Sequence, residues 1–125
     1  MNLLLVEPDK LLGEVAKNAL EAAGCVVSWK RTAQTALDAL DHKLPDVIVV
    51  ELQLGLHNGV ELLYEIRSYT EWQHIPFIVH TMNARVLDDR LSSALEQLGV
   101  VAVLYKPRTT VAQLIRAVKQ IKVLK

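Results

Sequence analysis

The sequence predicts an α/β fold in which a parallel β-sheet carries helices on both faces. Short apolar segments of strand length alternate strictly with longer segments of helical periodicity, five of each in 125 residues. Such alternation is typical of parallel sheets joined by right-handed crossover helices. The third apolar segment, 47–50, consists of four consecutive β-formers. It therefore indicates a central strand that is covered on both faces.

Five strands are predicted from short runs rich in Leu, Val and Ile. They are expected at residues 3–6, 26–29, 47–50, 77–80 and 100–104. Pro45 and Pro76 stand just before the third and fourth runs, and Gly99 stands before the fifth. These residues separate each strand from the helix that precedes it.

Five helices are predicted from apolar residues at helical spacing. They are expected at 10–23, from a cap at Thr32 to 42, at 59–69, at 85–98, and from a cap at Thr109 or Thr110 onward. Gly24 and Gly99 are expected to end the first and fourth helices. The first helix is expected to turn one apolar side inward, made of Leu11, Leu12, Val15, Ala16, Ala19 and Leu20.

Composition indicates one domain spanning residues 1–125. Apolar residues make up 51% of the chain, which is enough for one core. A formal net charge of zero argues against nucleic-acid binding through bulk charge. No apolar run approaches the length of a membrane span. The single Cys25 cannot form an internal disulfide, which suits a reducing compartment, so a cytoplasmic location is expected.

Polar residues at the predicted strand ends are the candidate functional residues. Glu7, Glu51, Thr81 and Lys106 each follow a different apolar run. The carboxyl ends of parallel strands meet at one edge of the sheet, where the sites of such folds lie. We therefore expect two carboxylates, a hydroxyl and an ammonium to converge there. The histidines lack the spacing of metal ligands, and His80 is expected to be buried with its hydrogen bonds satisfied.

Five motifs at these positions resemble the receiver domain of bacterial two-component response regulators. They are Leu-Leu-Val-Glu-Pro-Asp at 4–9, Pro-Asp-Val-Ile-Val-Val-Glu-Leu at 45–52, Leu-Gly-Leu-His-Asn-Gly at 54–59, Ile-Pro-Phe-Ile-Val-His-Thr at 75–81 and Leu-Tyr-Lys-Pro at 104–107. The resemblance covers essentially the whole chain. It implies a flavodoxin-like three-layer sandwich with five helices and the strand order 2-1-3-4-5.

The same resemblance implies a phosphoryl-accepting site and shows where this chain departs from it. In the family, two acids and an aspartate hold Mg²⁺, the aspartate accepts the phosphoryl group, and a lysine and a hydroxyl hold its oxygens. Lys106 and Thr81 keep these last two roles, and Glu7 falls on the first acidic position. Pro8 falls on the second and supplies no carboxylate. Glu51 falls on the phosphoacceptor; it is one methylene longer, and a displacement of about 1 Å can cost on the order of a hundredfold in rate.

Three more positions bear on the predicted site. Met82 stands where the family has a small residue, and its bulk would crowd an incoming phosphoryl group. Val103 replaces the mobile aromatic residue that reports switching. Asp9 is offset by one residue from the lost acid and could partly replace it, with Glu7 and Glu51 as the other metal ligands. No cofactor is expected, and any Mg²⁺ binding is expected to be weak.

The sequence leaves four interpretations of Glu51 open. Glu51 could form only an ion pair with Lys106, retain a divalent cation without phosphorylation, imitate the phosphorylated state, or still accept a phosphoryl group. The departures favour a degenerate receiver, or pseudo-receiver, that is not an enzyme and acts as a phosphorylation-independent protein-interaction module. A residual phosphoacceptor that uses Glu51 with a divalent cation and a ligand-binding pseudo-receiver are the alternatives.

The last third of the chain predicts a protein-binding surface. The segment from Thr81 to Gly99 is longer than the family pattern. No acidic residue follows Glu96, whereas Arg116 and Lys119 are three positions apart and so lie on one face of the last helix. We expect a protein partner on the fourth helix, fifth strand and fifth helix, with a homodimer as a second candidate.

Overall fold

The computed structural model describes residues 1–55 and 57–121, and its central element is a parallel sheet. The five strands are β1 (Asn2–Val6), β2 (Val26–Lys30), β3 (Val47–Val50), β4 (Phe77–Thr81) and β5 (Val100–Tyr105). Their order across the sheet is β2-β1-β3-β4-β5, and every neighbouring pair is parallel. The predicted fold class is confirmed.

The described residues form five α-helices, of which four connect successive strands and the fifth follows β5. They are α1 (Lys10–Ala22), α2 (Ala33–His42), α3 (Gly59–Arg67), α4 (Asp89–Gln97) and α5 (Val111–Lys119). Each begins after a residue whose side chain accepts a backbone N–H of the first turn: Asp9, Thr32, Asn58, Asp88 and Thr110. Within the described ranges, none of the helices combines the length and the apolar character needed to cross a membrane.

The sheet separates two apolar clusters. All four residues of β3 are buried, and its alternate side chains enter opposite clusters. Helices α2, α3 and α4 cover one face of the sheet, and α1 and α5 cover the other. This three-layer arrangement leaves the carboxyl ends of the strands as a common edge.

The segment predicted as one helix over 85–98 is divided. Ala84–Leu87 forms a short 3-10 helix, and α4 begins only at Asp89. Asp88 has extended backbone angles and its side chain accepts the N–H of Arg90. Aspartate side chains compete in this way with a continuous helix, which explains why the periodic pattern crosses a break.

A two-stranded antiparallel ribbon, which the sequence did not predict, follows β3. It pairs Gln53–Leu54 with His57–Asn58, and Leu56 between them lies outside the described residues. Strands of two residues are too short to show a periodic pattern. Gly59 then begins α3 so close to the end of β3 that a Cβ there would lie 2.5 Å from Leu52 Cα. The helix also ends earlier than the predicted residue 69.

Helix α1 turns only part of its predicted apolar side to the sheet. Ala16 and Leu20 are buried as predicted, and Gly13 is buried with them. A Cβ at Gly13 would lie 2.0 Å from Trp29 Cζ2, so the helix packs on its small residues. Three large apolar residues that were expected to face inward are exposed as a result: Leu11, Leu12 and Val15.

Candidate functional site

Four polar side chains meet at the carboxyl edge of the sheet. Glu7 follows β1, Glu51 follows β3, Thr81 ends β4 and Lys106 follows β5. Glu7, Glu51 and Thr81 are buried, and the side chain of Lys106 is only 8% exposed. The convergence predicted from the parallel topology is therefore present.

Lys106 lies between the two carboxylates. Its Nζ donates to Glu51 Oε1 at 3.0 Å and also to Glu7 Oε1. The predicted contact between Glu51 and Lys106 is confirmed, and Glu7 is a second partner of the same ammonium. Two carboxylates thus share one cation, so this group carries one more negative than positive charge.

The carboxylate of Glu51 is surrounded by donors. Its Oε1 accepts the Met82 N–H at 2.9 Å and Lys106 Nζ. Its Oε2 accepts the Gln53 N–H at 3.1 Å and the hydroxyl of Thr81. Burial alone would raise the pKa of Glu51, but the bonds from Thr81, Met82 and Lys106 outweigh it and hold that pKa below the usual 4.5. Glu51 is therefore an ionised carboxylate with both oxygens engaged.

Other contacts fix the loop after β1. Trp29 Nε1 donates to the carbonyl oxygen of Glu7 at 2.9 Å. The carbonyl oxygen of Pro8 accepts two bonds from Arg31, at 3.0 and 2.8 Å. The Pro8 ring brings no hydrogen-bonding group to the site. Glu7 is consequently held at the strand end through its own backbone.

Asp9 does not join the other two carboxylates, in contrast to its assignment as a third metal ligand. Its Oδ1 accepts the Leu12 N–H at 2.8 Å and so caps α1. Among the described residues, no group of three or more His, Cys, Asp or Glu side chains could hold a metal ion. Mg²⁺ requires several oxygen ligands in octahedral geometry. This donor set, with Glu7 and Glu51 bound to an ammonium, does not fit that requirement.

The remaining predicted positions flank the strand ends. Met82 is exposed and lies on a cavity that Lys106 also lines. Val103 is partly buried against the cluster beneath α2, α3 and α4. Neither Met82 nor Val103 explains switching or binding by itself. Position 103 carries a valine and therefore no bulky aromatic ring.

His80 differs from the prediction of a satisfied buried histidine. It is half-buried, and its ring nitrogens have no hydrogen-bond partner within the part of the chain that the structure describes. Burial and the nearby charge of Lys106 lower the pKa of His80 to about 4, against the opposing effect of Glu51. The imidazole is therefore neutral at physiological pH.

Two donors of the site could not be found from residue types. The N–H groups of Gln53 and Met82 bind Glu51, and any residue except proline carries such a group. The hydroxyl of Thr81 also accepts the N–H of Asn83 at 3.0 Å, which orients it. The only sequence signal for these contacts is the position of each residue one or two places beyond a strand-end polar residue.

Comparison with known proteins places this arrangement in a family. A family model for the response regulator receiver domain matches residues 3–119. The transcriptional regulatory protein QseB of Haemophilus influenzae is 32% identical over 91 residues, which cover 73% of this chain and 40% of QseB. The polar-differentiation response regulator DivK of Brucella ovis is 28% identical over 106 residues, 85% of this chain and 84% of DivK.

Solved structures agree with these matches. The non-phosphorylated HemR receiver domain of Leptospira biflexa has a TM-score of 0.81 and 30% identity, over 99% of this chain and 96% of that domain. This chain spans less than half of QseB but most of DivK and of the HemR domain. The strand-end residues Glu7, Glu51, Thr81 and Lys106 all lie inside the matched range. The chain belongs to the response regulator receiver domain family, whose members are signalling domains of two-component systems.

Proposed function

We propose that this receiver domain is a protein-interaction module whose state does not depend on phosphorylation. The observation that carries the proposal is the set of contacts made by Glu51. Thr81 and Lys106, to which the family resemblance assigns the phosphoryl oxygens, are both bound to the Glu51 carboxylate. A pseudo-receiver of this kind would hold one conformation because its own side chain occupies the donors that a phosphoryl group would need.

The chemistry of phosphoryl transfer supports the same view. A carboxylate nucleophile must direct a free lone pair at phosphorus while cations offset the charge of the donor. Both oxygens of Glu51 already accept bonds, and Lys106 is shared with Glu7. Pro8 adds no carboxylate for a metal. We therefore propose that Mg²⁺ is not a working cofactor and that Glu51 is not a phosphoacceptor.

Incubation with acetyl phosphate and Mg²⁺ is expected to leave the chain unmodified. Intact-mass spectrometry within minutes of mixing checks this, since an acyl phosphate hydrolyses quickly. Beryllofluoride, which imitates a bound phosphoryl group, is expected to produce no shifts in an amide NMR spectrum of the chain. A stoichiometric adduct on Glu51 would overturn the proposal.

Two variants separate the effect of the residue at position 51 from the effect of the missing acid at position 8. Glu51→Asp restores a shorter carboxylate but not the second acid, and we expect acetyl phosphate to label it only slightly. The double change Pro8→Asp with Glu51→Asp restores both carboxylates and is expected to recover labelling by at least about tenfold over Glu51→Asp alone, because metal ligands offset the donor's charge. Equal labelling of the two variants would show that Pro8 is not the limiting departure.

For the partner surface we propose α4, β5 and α5. Arg116 and Lys119 are exposed on α5 and form no ion pair within the described residues. Val101 is exposed on β5, which is an edge strand of the sheet. Exposed cations on α5 and an exposed apolar residue on β5 suit an acidic protein surface. The partner is a protein, with self-association as the second candidate.

Reversal of both charges, Arg116→Glu with Lys119→Glu, is expected to weaken partner binding at least about tenfold and to reduce its salt dependence. Quantified pull-down from the native cell at two salt concentrations measures this, and sedimentation velocity measures self-association. Both residues are exposed, so the fold should be retained.

The matched control changes net charge equally elsewhere. Lys10 and Lys43 are exposed outside this surface, and Lys10→Glu with Lys43→Glu should leave binding within about twofold. If the two double variants behave alike, net charge and not the α4–β5–α5 surface controls binding.

A further inference from the structure

A cavity of about 360 Å³ opens between α1 and α5 next to the strand-end residues. Four large apolar side chains surround its mouth, and each is 40–48% exposed: Leu12, Val15, Met82 and Val111. Leu12 and Val15 are two of the residues that helical spacing had placed in the core. They are instead exposed apolar walls of a concave space.

Four polar residues line this cavity together with the apolar walls: Glu7, His80, Lys106 and Thr109. The Thr109 hydroxyl donates its proton to the carbonyl oxygen of Tyr105, so it offers a ligand only acceptor capacity. A concave, mainly apolar space of roughly 300–1,000 Å³ with a few convergent polar groups is the usual form of a small-molecule site. The cavity falls within this range, and its polar groups lie near the buried carboxylates of the sheet edge.

The polar groups offer acceptors more than donors. Among the described residues, the Glu7 carboxylate accepts one bond from the Asp9 N–H and one from Lys106, whereas its two oxygens can accept about four. A neutral His80 ring also keeps one acceptor nitrogen, and no described residue donates to it. Glu7 and Lys106 line the cavity, and Lys106 is shared with a second carboxylate, Glu51, which does not line it.

We propose that this cavity binds a small molecule with an apolar body and an amine, whose N–H groups meet Glu7 and His80. An ammonium can use the acceptor capacity of Glu7, which shares the charge of Lys106 with Glu51, whereas a carboxylate or phosphate of the same shape would face the Glu7 carboxylate that lines the cavity. The apolar body would cover the exposed side chains at the mouth. The inference goes beyond the proposed function and does not depend on Glu51 being unreactive.

The chemistry favours such a ligand over a metal ion. A divalent cation would have to displace Lys106 from Glu7 and Glu51, and no third carboxylate is grouped with them among the described residues. A metal ion would also leave the apolar mouth uncovered. An amine can instead use the acceptor capacity of Glu7 that Lys106 leaves free.

The test titrates the ¹⁵N-labelled chain, in buffer containing EDTA, with tryptamine and with indole-3-propionate. Both probes carry an indole ring, and they differ in the sign of the charge on the side chain. Tryptamine is expected to shift the amides of Leu12, Val15, Met82 and Val111 and to bind at least about tenfold more tightly than indole-3-propionate. Equal affinity of the two probes, or tryptamine shifts confined to other residues, would overturn the proposal.

Two arginine substitutions on α1 provide the matched pair of variants. Val15→Arg places a bulky cation at the mouth and is expected to weaken tryptamine binding at least about tenfold. Leu11→Arg adds the same charge to the same helix at a residue that does not line the cavity, and should leave binding within about twofold. Thermal unfolding checks that both variants fold. If both variants weaken tryptamine binding alike, the cavity is not an amine site. The same conclusion follows if the chain is a dimer that Val15→Arg alone converts to a monomer, because the cavity mouth would then be the dimer interface.

Discussion

Replacement of Lys106 by methionine is expected to lower the free energy of unfolding at pH 7 by about 3–5 kcal/mol. Methionine has a similar length but no charge, so the buried carboxylates of Glu7 and Glu51 would lose their shared cation. Removing one partner of a buried ion pair is costly because an uncompensated charge remains in a poorly solvated place. Urea denaturation monitored by circular dichroism measures the change, provided that the slope with denaturant is conserved.

Replacement of Glu51, the other partner of this ion pair, should lower the free energy of unfolding by less. Glu51→Gln keeps an oxygen that can accept from Thr81 and leaves Lys106 paired with Glu7. We expect a loss of about 1–3 kcal/mol, because the amide nitrogen cannot accept the bonds that Glu51 Oε1 takes from the Met82 N–H and from Lys106. Lys119→Met, which removes an exposed cation from α5, serves as the control and should change stability by less than about 0.5 kcal/mol.

Lowering the pH should reduce the difference in the free energy of unfolding between Lys106→Met and the natural chain. Folding lowers the pKa of Glu51, so its stabilising contribution is present above the unfolded-state value of 4.5 and is lost as the pH falls through the lower folded-state pKa. Without Lys106 the pKa of Glu51 would be higher than in the natural chain, so the variant would lose less stability as the pH falls and its deficit would shrink. If Lys106→Met lowers the free energy of unfolding by the same amount at pH 7 and at pH 4, solvent already screens the Glu51–Lys106 ion pair.

The sheet and the meeting of its strand ends could be predicted from the sequence for one physical reason. A strand buried on both faces needs apolar side chains at every position, and the run at 47–50 has them. Parallel strands joined by helices must end at the same edge, so Glu51 and Lys106 had to approach each other although they are far apart in the chain. Neither conclusion needed the conformation of a loop.

The features that the sequence did not reveal depend on loops and on packing between elements. At Asp88 a side-chain cap competes with continuation of the helix, and the spacing of apolar residues does not show that the cap prevails. The outward turn of Leu12 and Val15 follows from Gly13 lying against Trp29, a contact between two distant segments. The cap made by Asp9 likewise took away a carboxylate that its position in the sequence had suggested for the site.

Arg67, at the end of α3, is another residue that no motif indicated. Its guanidinium donates to the carbonyl oxygens of Leu98 at 2.6 Å and of Trp72 at 2.8 Å, and also to that of Ile75. The same group lies 4.0 Å from the centre of the Phe77 ring. Arg67 thus joins the end of α3 to the segments that enter β4 and β5. Burial lowers the pKa of Arg67, yet arginine remains charged at any physiological pH.

Arg67→Met is therefore expected to lower the free energy of unfolding by about 3–5 kcal/mol, because three carbonyl oxygens lose a charged donor. Arg67→Lys should recover less than half of that loss, since an ammonium cannot reproduce a planar group that reaches three acceptors while stacked on a ring. Urea denaturation of the three chains provides the comparison.

The control for Arg67 is Arg85→Met, which shortens an exposed arginine in the 3-10 helix before α4. Its expected effect is below about 0.5 kcal/mol. Because Arg67 lies away from Glu7, Glu51 and Lys106, its loss should add to that of Lys106→Met within about 0.5 kcal/mol in the double variant. A clear departure from additivity would mean that the sheet edge and the α3–β5 contact are coupled, and that the strand-end site senses the packing at the opposite end of the sheet.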